Sequence, residues 1–152
     1  MLILIVKWIH VLAAITAVGA NLTYGIWIQR ASSEPKELPF VLRSIRAIDR
    51  RLANPCYVLL LVTGLIMALT VPIPLTTPWL LSAIVLYVLA ALMGAVAYAP
   101  AVREQLRHLE SDGFEAPGYQ VAARRGTVLG ILVTVDVVLI VFLMVVKPSL
   151  WG

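Results

Sequence analysis

Residues 79–98 read WLLSAIVLYVLAALMGAVAY and residues 56–75 read CYVLLLVTGLIMALTVPIPL, two runs of twenty residues without a single charge. A helix rises 1.5 Å per residue, so roughly twenty apolar residues match the hydrocarbon core of a bilayer. Working outward, Leu2 to Ile28 and Thr127 to Val146 are at least as long; the first contains Lys7, His10 and Asn21, and the last contains Asp136. No strand-like alternation competes with these runs. The spacing predicts an all-α, polytopic membrane protein, one transmembrane domain over 1–152 with four spanning helices at about 2–28, 56–75, 79–98 and 127–146.

Composition agrees. Of 152 residues, 61% are hydrophobic and 13% charged, and the mean hydropathy is +0.96, beyond what a soluble domain of this size carries. The opening MLILIVKWIHVLAAITAVGA has small residues where a signal peptide would be cleaved, but it lacks a positive n-region and Lys7 interrupts its apolar run. The expectation is therefore an uncleaved first helix. Cys56 is the single cysteine, so no internal disulfide or CxxC pair forms.

The net charge of +4 does not indicate nucleic acid, because the basic residues sit between apolar spans rather than on a basic domain. Arg30, Lys36, Arg43, Arg46, Arg50 and Arg51 lie between the first two spans, and Arg103, Arg107, Arg124 and Arg125 between the last two. By the positive-inside rule these loops face the cytoplasm and both termini face out, as expected for a bacterial inner-membrane protein. Trp79 and Trp151 then mark the outer interface, and Trp27, Tyr57 and Tyr98 the inner one.

The first long loop has a pattern of its own. Val41, Ile45, Ile48 and Leu52 recur at helical spacing, predicting a cytoplasmic amphipathic helix over 38–52 that lies on the inner leaflet. Its Arg43, Arg46 and Arg50 are candidates for contact with anionic lipid or a partner, against the plainer reading of a solvated face. Asn54 and Pro55 are expected to cap and open the second span. In the last loop, Ser111-Asp112-Gly113 is expected to end a helical extension of the third span, with His108 solvated.

Candidate chemistry concentrates on two helices. Lys7, His10, Ala14, Ala17, Asn21, Tyr24 and Gly25 form a polar-and-small stripe on the first, which faces other helices rather than lipid. His10 lies about 12 Å in from Leu2, inside the hydrocarbon. Two readings stand: ligation of a metal or haem iron, or a hydrogen-bonded packing residue. Asp136 lies about 16 Å from the outer end of the last span, a similar depth, where a carboxylate costs about 2.5–3.5 kcal/mol. It either orients His10 as a cofactor ligand or forms an ion pair with Lys7. Gly126 and Gly130, with Thr134, offer a small-residue face for close helix packing. No nucleotide loop, HExxH or nucleophile elbow is present, so the sequence points away from an enzyme.

The segments Trp8-Ile9-His10-Val11-Leu12, Arg46 to Gly64 (RAIDRRLANPCYVLLLVTG) and Phe142 to Pro148 (FLMVVKP) resemble a bacterial family of predicted four-helix integral membrane proteins, domain of unknown function 2269. The likeness covers nearly the whole chain. More distantly, the first-helix tryptophan and histidine are similar to those of copper-resistance protein D and of the membrane protoporphyrinogen oxidases. The latter resemblance implies haem b binding at His10 alone, because Ser82 and Tyr87 are the only polar side chains in the third span. Two functions follow as expectations. One is an accessory or structural subunit of a membrane complex, or a self-associating bundle; the other is a haem-binding redox or porphyrin-handling protein using His10.

Overall fold

The computed structural model describes residues 1–150, and the expectation for Trp151 lies outside them. Four long helices follow one another: α1 (Leu2–Ser32), α2 (Leu38–Thr70), α3 (Pro78–Ser111) and α4 (Pro117–Val146). Each is long and apolar enough to cross a membrane, and no strand occurs among the described residues. α1 packs most closely on α2 and α3 on α4, and the two hairpins meet along α1 and α4.

The helices outrun the apolar runs at the end that carries the basic loops. Here the expected break before the second span is absent: Asn54 caps nothing, and α2 passes through it without interruption. Pro55 should disrupt such a helix, because it has no N–H and its ring crowds the carbonyl four residues back. The turn before it, Asp49–Ala53, is widened to π-helical geometry, with the Asn54 N–H bonding the Asp49 carbonyl five residues back. α3 repeats the device: Met93–Tyr98 is π-helical, the Ala99 N–H reaches the Gly94 carbonyl, and Pro100 follows. Both prolines are thereby carried inside continuous helices.

At the opposite, short-loop end the second helix stops at Thr70 rather than reaching Leu75. Val71 precedes Pro72, and a residue before proline is driven out of the helical region; its φ/ψ of −93°/134° is extended. α4 ends where Lys147 turns left-handed (φ 50°, ψ 54°) ahead of Pro148. Its ammonium rests 5.2 Å from the centre of the Trp79 ring, a cation–π contact that ties the end of α4 to the start of α3. At the basic end Gly113, with φ +87°, makes the turn that separates α3 from α4, in a conformation glycine adopts without strain.

The largest fully buried side chains, Leu38 and Leu42, lie at the basic end, outside the apolar runs. Ala31 of α1, Leu38 and Leu42 of α2, Val102, Leu106 and Leu109 of α3 and Tyr119 of α4 form one cluster. The amphipathic face of residues 38–48 is thus turned onto α3 and α4. Leu38, Leu42 and Ile45 are buried, whereas Ile48 and Leu52, expected on the same apolar face, are exposed. The phase differs from the expected one because α3, continuing past Pro100, offers the helix an apolar partner of its own.

Candidate functional site

Within the membrane run, α1 and α2 are joined by a ladder of side-chain hydrogen bonds. The helices are antiparallel, so positions rising along α1 meet positions falling along α2. His10 Nδ1 lies 2.8 Å from Thr63 Oγ1, Asn21 donates from Nδ2 to the Tyr57 hydroxyl, and the Tyr24 hydroxyl donates to Asp49 Oδ1 at 2.8 Å. Tyr87 of α3 adds a rung, its hydroxyl donating to the Tyr57 carbonyl at 2.7 Å. Between the rungs, buried Ala13 and Ala17 let the backbones approach.

Thr63 has one hydroxyl proton and can donate it to the Leu59 carbonyl at 2.5 Å, an arrangement in which its oxygen accepts from His10 Nδ1. Gly64 makes room for the ring: a Cβ there would lie 3.3 Å from His10 Cε1.

Asp136 is 6% exposed, and neither carboxylate oxygen has a hydrogen-bond partner. The expected contacts to His10 and Lys7 are not formed. His10 turns to α2 instead, and Lys7 is exposed and in no ion pair among the described residues. His10, Asn21 and Tyr24 of the stripe are bonded to α2 and Lys7 faces outward, which leaves the α4 carboxylate without a donor.

The small-residue face of α4 packs against α3. A Cβ on Gly126 would approach Gln105 Oε1 to 3.2 Å, and one on Gly130 would lie 3.4 Å from the Tyr98 ring. His108, expected in water, is half-buried: its Nδ1 donates to Asp112 Oδ2 at 2.7 Å, and a Cβ on Gly118 would collide with its ring at 2.9 Å. That hydrogen bond holds the Asp112 carboxyl below the usual carboxylate range. Arg43 binds Glu110 at 2.7 Å, while Arg46 and Arg50 are exposed.

Sequence reasoning identified His10, Asn21 and Tyr24 but missed their partners Thr63, Tyr57 and Asp49. The signal was present: once α1 and α2 pair antiparallel, a position on one indexes a position on the other.

Residues 4–148 match the model of a family described as predicted integral membrane protein (DUF2269), and the chain belongs to that family. No curated protein and no solved structure matches it.

Proposed function

We propose that this member of a predicted integral membrane protein family is a non-enzymatic membrane component, an accessory subunit or a self-associating bundle, in the bacterial inner membrane with both termini outside and the basic end in the cytoplasm. The observation that carries this reading is the ladder. His10, Asn21 and Tyr24 of α1 are each bonded to α2, so their chemistry serves helix association. Its test is purification in mild detergent followed by native mass measurement. A partner or a second copy in fixed stoichiometry is expected, and a lone monomer with catalytic turnover would overturn the reading.

One observation favours a second reading, haem or metal ligation at His10. Thr63 holds the ring at Nδ1, and a histidine oriented through one ring nitrogen is the arrangement in which the other ligates iron. Thr63, rather than Asp136, is then the orienting group. The bound group would supply redox chemistry; this chain would hold it through Nε2 and keep the ring in place through Thr63 and Gly64. A Soret band in the purified protein that His10→Ala abolishes would establish haem, and a preparation with neither a Soret band nor bound metal would end this alternative.

A further inference from the structure

The arginines of the basic end are not equally partnered. Glu110 is bound by Arg43 at 2.7 Å, and Glu104 reaches Arg125 at 3.9 Å. Arg46, Arg103 and Arg107 form no ion pair among the described residues, yet they line one groove of about 430 Å³ between the first turns of α2 and the last turns of α3, together with Leu106, Glu110 and Ser111. Glu110, the acid in that groove, is already committed to Arg43. Three arginines from two helices therefore line one open groove whose single acid, Glu110, is already paired.

Like charges converge in this way at a cost unless an anion joins them. The guanidinium fork fits the paired oxygens of a phosphate, and several forks on one group multiply that fit. The groove starts at headgroup depth and extends outward from it. Arg103 is five residues past Tyr98, where the apolar run ends, or about 7–8 Å of helix, and headgroups occupy about the first 5–8 Å outside the hydrocarbon. Arg107 and Arg46 lie about 13–15 Å out along their helices and line the outer part of the same groove.

We propose that the groove lined by Arg46, Arg103 and Arg107 binds the phosphate of an anionic lipid headgroup. The arginines expected from sequence to touch lipid are thereby regrouped: Arg43 is held by Glu110 and serves to join α2 to α3, Arg46 remains a lipid contact, and Arg103 and Arg107 come from the other loop. The site depends on the basic groove alone, so it stands or falls separately from the subunit reading and from haem at His10.

The test is native mass spectrometry of the full chain released from mixed vesicles of phosphatidylglycerol and phosphatidylcholine. The wild type should retain phosphatidylglycerol preferentially. Arg46→Gln/Arg103→Gln/Arg107→Gln keeps the side-chain stems and should lose that preference by about tenfold or more, the worth of at least one charge-assisted hydrogen bond to the phosphate. Arg30→Gln/Arg51→Gln/Arg124→Gln removes as many exposed charges elsewhere and should retain it. Far-UV helicity is read on both variants, and Arg→Lys at the three groove positions, which keeps charge but not the fork, should lose part of the preference. Equal retention by the groove variant overturns the proposal, as does equal loss in the control variant. Thermal stabilisation of the wild type by inorganic phosphate, with no preference between the two lipids, would overturn the lipid assignment in favour of a free phosphate.

Discussion

The basic-end cap and the membrane interior of this molecule bury different mixtures of side chains. In the cap, Leu38, Leu42, Leu106, Leu109 and Tyr119 are packed away while arginines and glutamates face outward. In the membrane run the balance shifts: the small and polar Ala13, Ala17, Thr63, Ala83 and Asp136 are inside beside Tyr24, Leu80, Val137 and Leu143, and Ile15, Leu65, Leu69, Val85 and Val145 are exposed. The difference follows from the solvent. Water drives large aliphatic side chains together, whereas lipid tails are as apolar as leucine and give them no reason to leave the surface. Inside the membrane, close approach and hydrogen bonds are what remain to hold helices.

The comparison is broken most directly by truncating one leucine in each region. Leu42 is 0% exposed, so Leu42→Ala should cost about 2–5 kcal/mol through lost burial and a residual cavity. Leu65 is 54% exposed on α2, and Leu65→Ala should cost far less, since its methyl groups exchange protein contacts for lipid. Denaturant unfolding in detergent micelles measures both. Similar losses would mean that the Leu65 face is covered by another protein surface rather than by lipid.

The interior itself is probed at Asp136. A buried carboxyl without a partner destabilises the bundle, so Asp136→Leu should raise stability by about 1–3 kcal/mol in the same unfolding assay. A loss of stability would show instead that the carboxyl is engaged in the assembled protein, by a ligand or by a second chain. That outcome would turn Asp136 from an unsatisfied group into a contact of the complex.

How much of this was legible beforehand depends on range. The four helices follow from apolar runs of bilayer length, a local property, and the ends at Gly113 and Pro148 follow from local turn chemistry. The π-helical turn before Pro55 was not legible, because a proline after the polar Asn54 reads equally well as a helix start; beyond Pro100 a continuing helix was expected, but not the widened turn that carries the proline. The cap was half legible. The period of residues 38–52 gave the helix, but not the partner that selects Leu38 and Leu42 over Ile48 and Leu52. At the site, the stripe of α1 was visible because all its members lie on one helix. The pairing of His10 with Thr63, and not with Asp136, depends on which helix is the neighbour, and equal depth in the membrane does not decide that.

The ladder should yield a smaller effect than either change above. Thr63→Val keeps the side-chain shape, removes the acceptor of His10 Nδ1 and leaves the backbone of α2 intact. Side-chain hydrogen bonds within membranes average about 0.6 kcal/mol and reach about 1.7, so a loss in that range is expected. A loss of several kcal/mol would mean that the His10 rung supports something larger, such as a ligand on Nε2.

The smallest effect belongs to the exposed edge of the cap, where stability responds to pH. Asp112 accepts from His108 at the end of α3, and this bond holds its carboxyl below the usual range. A carboxylate whose folded pKa is depressed contributes stability that is fully present above its unfolded value, about 3.9, and is lost as pH falls through the lower folded value. Acidification below about pH 4 should therefore loosen the last turn of α3, and Asp112→Asn should flatten that dependence. The pair is solvent-exposed and screened, so the response should be slight, local and weaker at high salt. Hydrogen exchange at residues 108–113 reads it, with the amides of α2 around Thr63 as the internal reference. If the α2 amides loosen over the same pH window, the cap and the membrane interior open as one unit. If they stay protected, the cap frays independently, as its burial in water and theirs in lipid would have it.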